Sequence, residues 1–216
     1  MIQLHHMPSS AAMVPLILLE EMGLPYELKP VDRATDAHRQ PEYLKLNPNG
    51  LVPVLVDGDL VLYETAAIAL HLADTHPEAA LVPALGTVER AHFYKWLMWM
   101  TNTLQATSIV YWYPHRWMDE GNTAGVAELK SHAQAKIGTQ LDQLDAHLAA
   151  QRGPWFMGEH YTLLDAYALT LCRWTRAFPR PARSLPHLGP YLQRMLERPA
   201  VRRVFAEVEQ LPQPWV

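Results

Sequence analysis

With 49% apolar and 19% charged residues, the 216-residue chain has the composition of a folded protein with real cores, and its length suits two domains. A formal net charge of -4, with no run of Lys or Arg longer than two, excludes the basic footprint needed to grip nucleic acid or an anionic membrane. The single cysteine, Cys172, excludes an internal disulfide, a Cys-x-x-Cys redox pair and a thiolate metal site within one chain.

The start, Met1 to Ser10, is His-containing and Pro-punctuated, and the apolar stretch after it breaks at Glu20. That is not the pattern of a secretory signal, and no apolar span reaches membrane length, so a cytoplasmic location is expected. Ile2 to His5 reads as a strand, Met7-Pro8-Ser9-Ser10 as a turn, and Met13, Leu16 and Ile17 as the periodic face of a helix ending at Gly23. Tyr26 to Val31 makes a second strand, and a unit of this length implies a right-handed crossover with a parallel pair. Asp32 to Leu46 is polar and predicts a short irregular helix, followed by the dense turn chemistry of Asn47-Pro48-Asn49-Gly50. Val52 to Val56 and Leu60 to Tyr63 are strands joined by Asp57-Gly58-Asp59 in an antiparallel hairpin, and a helix follows from Thr65 to Thr75.

This order is the plan of an α/β domain of the thioredoxin type over residues 1–80. His76 to Thr87, with two prolines and a glycine, serves as the linker, and residues 87–216 read as an all-α domain. Long helices are expected at Val88 to Trp112, Ala124 to Ala150 and Thr162 to Ala177, with shorter ones at Leu188 to Glu197 and Val201 to Glu209.

Proline inside an apolar strand removes a ladder donor, so Val52-Pro53 calls for compensation. A cis bond there would turn the amide and carbonyl of Val52 outward, to pair with an extended peptide as an added strand does; an edge strand with a trans bond is the plain alternative. Glu64-Thr65 opens the next helix, whose first amides and positive dipole end can receive a carboxylate, although Thr is also simply a good N-cap. Together the two features describe a site for a short peptide with a free acidic end. Without a cysteine pair of its own, a thioredoxin-like domain needs its thiol to arrive on the ligand, and glutathione is such a ligand.

The stretches Asn47-Pro48-Asn49-Gly50-Leu51-Val52-Pro53-Val54-Leu55 and Leu62-Tyr63-Glu64-Thr65-Ala66-Ala67-Ile68 resemble the glutathione-site signature of cytosolic glutathione transferases, with Glu-Thr where the family usually shows Glu-Ser. Met157-Gly158-Glu159-His160-Tyr161-Thr162-Leu163-Leu164-Asp165 is similar to the family's C-terminal helix-capping motif, so the resemblance spans essentially the whole chain. Physically, Thr162-x-x-Asp165 is a capping box that serves folding rather than catalysis.

The resemblance implies that Val52 bonds the cysteinyl backbone of glutathione, beside Pro53, and that Glu64 and Thr65 hold its γ-glutamyl end. Lys45, Arg39 or His38 would meet the glycyl carboxylate. Catalysis would lower the glutathione thiol pKa from about 8.5 toward neutrality with a positioned donor after the first strand. Ser10, then Ser9, with His6 as a further candidate, are the donors available, and Pro-Ser-Ser reads equally as a turn and cap. Ala11 and Ala12 stand where the bacterial branch similar to this chain has Cys-Ser, which argues against cysteine-dependent chemistry. Met98 and Gln105 depart from that branch at the helical wall.

His5 and His6 are adjacent on a strand and point to opposite faces, and no His-Glu-x-x-His spacing occurs, so no metal is expected. The aromatic run Tyr111-Trp112-Tyr113-Pro114-His115-Arg116-Trp117 suggests a hydrophobic substrate pocket walled by Tyr111, Trp112 and His115, against the plain reading of helix-packing core. By resemblance the partners are glutathione and a hydrophobic electrophile, in a homodimer. The expected activity is transfer to glutathione. The alternatives are a glutathione-dependent disulfide reductase or peroxidase, and a non-catalytic binding or regulatory protein.

Overall fold

The computed structural model describes residues 1–216, which divide into two compact units. Unit 1 comprises Met1–Pro83 with Arg194–Trp215, and unit 2 comprises Ala84–Gln193 with Val216. The break between Pro83 and Ala84 falls inside the linker read from the sequence. Residues Arg194–Trp215, expected with the helical domain, group with unit 1 instead.

In unit 1, β1 (Ile2–His6), β2 (Tyr26–Pro30), β3 (Val54–Asp57) and β4 (Leu60–Tyr63) form one sheet in the order β2-β1-β3-β4. β1 pairs parallel with β2 through α1 (Met13–Met22), and antiparallel with β3, which forms a hairpin with β4. The hairpin closes on Gly58 at φ 58°, a left-handed position that glycine adopts without a Cβ clash. All seven residues from Met13 to Leu19 are buried, because α1 is covered by more than the sheet: α3 (Thr65–Thr75) and the C-terminal α9 (Pro199–Arg203) also pack on it. Pro15 is tolerated in the first turn of α1, where its missing N–H has no helical acceptor. Glycine at the other end, Gly23 with φ 64°, caps the helix in the left-handed conformation.

The expected Asp32–Leu46 helix is a 3-10 turn at Ala37–Arg39 followed by α2 (Pro41–Leu44). The third strand begins at Val54 rather than Val52, since Pro53 has no N–H to give the ladder.

Unit 2 is helical. The helix expected from Val88 to Trp112 is α4 (Val88–Trp99) and α5 (Ala106–Trp112) joined by a π-helical segment, Met100–Gln105. Within that segment the Thr103 carbonyl accepts from the Ala106 N–H and also from Thr107 Oγ1 at 2.7 Å and Gln140 Nε2 at 3.4 Å, where the regular pattern widens. α6 (Thr123–Ala150) is capped by Asn122, whose side chain accepts from Gly125 N at 2.9 Å. α7 (Leu163–Arg173) has all eleven residues buried and is the axis of the unit's core. It stops at Arg173 rather than Ala177, where Trp174 and Thr175 tighten into i→i−3 bonds to Leu171 and Cys172. α8 (Leu188–Glu197) contains the boundary between the units, and the last helical stretch is α9 and a second π-helical segment, Val204–Val208. No helix is long and apolar enough to cross a membrane.

Candidate functional site

Strand register gathers the predicted ligand residues at one end of the unit 1 sheet. His5 faces Val54, and Val54 faces Tyr63, so the loop leaving β1 (Met7–Ser10), the approach to β3 (Val52, Pro53) and the exit of β4 (Glu64, Thr65) lie at the same end. β2 runs parallel to β1, so its exit, which leads through Val31 to Arg39, lies there too.

The approach to β3 is held from behind. The Leu51 carbonyl accepts from the Tyr43 hydroxyl and from Asn47 Nδ2, both at 2.8 Å, while Asn47 Oδ1 accepts from Asn49 N at 3.0 Å. Gly50, at φ 61°, cannot be replaced freely, since a Cβ there would meet the His38 carbonyl oxygen at 3.0 Å. Val52 therefore leaves an anchored turn, enters a cis peptide to Pro53, and stands before the first registered ladder pair at Val54. Pro53 is buried and Val52 half-buried.

Glu64 is exposed and held at φ 74°, ψ 115°, an uncommon region for a residue with a side chain. Its side chain does not cap α3, so the first-turn amides of that helix keep no side-chain acceptor from the residue that precedes them. Thr65, 6% exposed, occupies the first helical position. A positive helix end beside a strained, exposed carboxylate is a chemistry that receives the amino and carboxylate groups of a free amino-acid terminus.

Of the three thiol-donor candidates, Ser10 is half-buried; its hydroxyl donates to the Met7 carbonyl at 2.7 Å and accepts from Ala12 N at 3.2 Å. Ser9 lies at φ 59° with its N–H donating to Glu209 Oε2 at 2.9 Å. His6 is buried in β1, and burial holds its imidazole below the ordinary value of 6.5, which keeps it neutral near pH 7. His5 stacks edge-on against Tyr43 at 5.9 Å. Among the basic candidates, exposed Lys45 is paired with Glu42 at 2.7 Å, Arg39 is exposed at the end of its 3-10 turn, and His38 is half-buried with Nδ1 unsatisfied.

In unit 2, Tyr111 is engaged in packing: its ring lies 4.5 Å from that of Phe178 and 5.1 Å from that of Trp112, with Lys130 Nζ 5.0 Å from its centroid. Trp112 is 42% exposed at the end of α5, and His115 is exposed in the turn that Pro114 opens. For Tyr111, then, the packing role read as the plain alternative is the one its contacts support. No group of three His, Cys, Asp or Glu side chains gathers at metal-binding distances.

Sequence reasoning missed Tyr43 and Asn47, the two donors on Leu51; the only available signal was the turn chemistry around Asn47. The capping box is present as expected, with Asp165 Oδ2 accepting from Thr162 N at 2.7 Å. Asp165 also accepts, through Oδ1, from Phe156 N at 2.8 Å and the Tyr191 hydroxyl at 2.9 Å, which the motif alone did not predict.

Comparison with known proteins matches residues 1–74 to the glutathione S-transferase N-terminal domain and residues 100–199 to the glutathione S-transferase C-terminal domain. Glutathione S-transferase 3 of Zea mays is 34% identical, over 99% of this chain and 97% of its own. Glutathione S-transferase GST-4.5 of Xanthomonas campestris pv. campestris is 31% identical, over 90% of this chain and 92% of its own. Among solved structures, a glutathione transferase homolog from Sulfitobacter with bound glutathione superposes with a TM-score of 0.86 at 26% identity, covering 94% of this chain and 96% of its own.

Proposed function

The chain belongs to the cytosolic glutathione S-transferase family, and from that premise we propose that it binds glutathione at this end of the unit 1 sheet and ionises the bound thiol for attack on a hydrophobic electrophile. The observation that carries this reading is the convergence of Met7–Ser10, Val52-Pro53 and Glu64-Thr65 at one end of the sheet. The Val52 backbone pairs with the cysteinyl segment of the tripeptide, and Glu64 with the Thr65 hydroxyl and the α3 amides holds the γ-glutamyl end. Arg39, Lys45 or His38 supplies the basic partner of the glycyl carboxylate, Lys45 by exchanging its exposed pairing with Glu42.

The Ser10 hydroxyl turns from the Met7 carbonyl to donate to the sulfur, favouring the thiolate over the thiol. The thiol proton leaves to solvent. The sulfur lone pair then forms a carbon–sulfur bond with the electrophile, and the bond to the leaving group breaks with its electron pair. With a disulfide or hydroperoxide as the acceptor, the same thiolate would serve a reductase or peroxidase.

Exposed Leu85, Val88 and Met98 on and beside α4 suit burial in a homodimer, and the lone, buried Cys172 suits a cytoplasmic setting. A second reading, glutathione binding without catalysis, is favoured by the bond that commits the Ser10 proton to Met7. Calorimetric titration with glutathione tests the binding half. Glu64→Ala and Thr65→Val should each weaken the affinity by about tenfold, the worth of one hydrogen bond to a charged group. Absence of wild-type binding at millimolar glutathione would overturn the reading.

A further inference from the structure

Ser9 is a strained residue at a functional loop. Its φ of 59° is left-handed, which costs a residue with a side chain about 1 kcal/mol or more, and such a conformation persists only where neighbours fix it. One contact that fixes it comes from the far end of the chain: Glu209, 8% exposed, directs Oε2 onto the Ser9 amide at 2.9 Å. Withdrawing a carboxylate from water to meet a backbone N–H is costly unless that bond does something in return.

Glu209 is itself held firmly. Its N–H donates to the Val204 carbonyl at 2.8 Å, closing the π-helical segment Val204–Val208, and Leu211 N donates to the Phe205 carbonyl at 2.7 Å. Trp215 Nε1 donates to the Leu211 carbonyl at 3.1 Å, which folds the tail on itself. The segment is tied to α1 by Arg198, whose Nε and Nη2 reach the two Glu21 oxygens at 2.6 and 2.7 Å, and by Arg203 Nε on Glu20 at 3.1 Å.

We propose that Glu209 is a positioning residue for thiol activation: its carboxylate holds the Ser9 amide so that the next residue, Ser10, stands at the mouth of α1. This rests on the reading of Ser10 as the thiol donor. Glu209 touches no reacting atom in this account and acts through the loop, so its removal changes how well the donor is placed rather than whether the tripeptide binds.

The test compares wild type, Glu209→Ala and Glu209→Gln for the apparent pKa of the bound glutathione thiol, followed by thiolate absorbance against pH, with glutathione affinity measured alongside. Glu209→Ala should raise the thiol pKa by about one unit, a tenfold loss of thiolate below that pKa, at an affinity within about twofold of wild type. Glu209→Gln, which keeps an acceptor oxygen, should leave the pKa at or below the wild-type value. An unchanged pKa in Glu209→Ala overturns the proposal, as does an equal rise in both variants. Should Glu209→Ala not fold, Glu209→Asp decides: retracting the acceptor by one methylene must raise the pKa, and a wild-type value overturns the proposal. Wild type binding glutathione with no depressed thiol pKa would instead remove the transferase reading beneath it.

Discussion

Replacing Asp165 by alanine probes the most densely used carboxylate in unit 2. The side chain is fully buried and accepts four hydrogen bonds: from Phe156 N at 2.8 Å, Tyr191 Oη at 2.9 Å, Thr162 N at 2.7 Å and Thr162 Oγ1 at 3.2 Å. Alanine offers none of these donors an acceptor. The Thr162 hydroxyl can rotate, but two amides and a phenol remain stranded in the core, and a stranded buried donor costs about 1–3 kcal/mol. Because the three share one acceptor group their costs do not simply add, and about 3–5 kcal/mol is expected for the set. For a chain of this length that is a fall in Tm on the order of 10 °C. Urea denaturation followed by tryptophan fluorescence measures it, with far-ultraviolet circular dichroism as the check that the two units unfold together. A loss below about 1 kcal/mol would mean that the donors find other partners without effort and that Asp165 does not hold them.

The pH response of the same residue follows from its burial, which lifts the carboxyl to about 6 against about 3.9 in an unfolded chain. The native state then holds the extra proton between these values, so the stabilisation is full below about pH 4 and declines as pH rises through 6; the stability difference between wild type and Asp165→Asn should shrink across that window, and one that grew would contradict the assignment. Tyr43→Phe removes one of the two donors on the Leu51 carbonyl, and should cost about 1 kcal/mol in urea melts and weaken glutathione binding a few-fold by calorimetry. Burial pushes the Cys172 thiol up to about 12, so a thiol reagent at pH 8 should leave the native protein unlabelled over a period that fully labels it in urea.

Much of the fold was written in local chemistry. Gly58 between Asp57 and Asp59 announces a hairpin, Gly23 the end of α1, and Thr162 with Asp165 the start of α7, because each feature is decided by residues next to it in sequence. The candidate site was legible for a related reason: a proline where a strand should donate, and a polar pair at a helix start, are local anomalies that compete with regular structure. What stayed hidden depends on distant partners. The break in the helix at Met100–Gln105 involves Gln140 of α6, the anchoring of Val52 uses Tyr43, and the grouping of Arg194–Trp215 with unit 1 follows from packing of α9 and the segment after it on α1, with ion pairs to Glu20 and Glu21 beside it. An amphipathic helix shows that it packs, not on what, so α9 read from sequence as one more helix of the second domain. Glu209 gave no signal at all, since its acceptor role exists only once the tail reaches Ser9.

Whether this protein ionises glutathione's thiol is decided by absorbance of the thiolate near 240 nm, followed against pH for glutathione bound to wild type and to Ser10→Ala. Ionisation requires a bound-thiol pKa at least about one unit below the free value of about 8.5, returning toward that value in Ser10→Ala. A wild-type complex that titrates like free glutathione would contradict it, leaving a protein that holds the tripeptide without activating it.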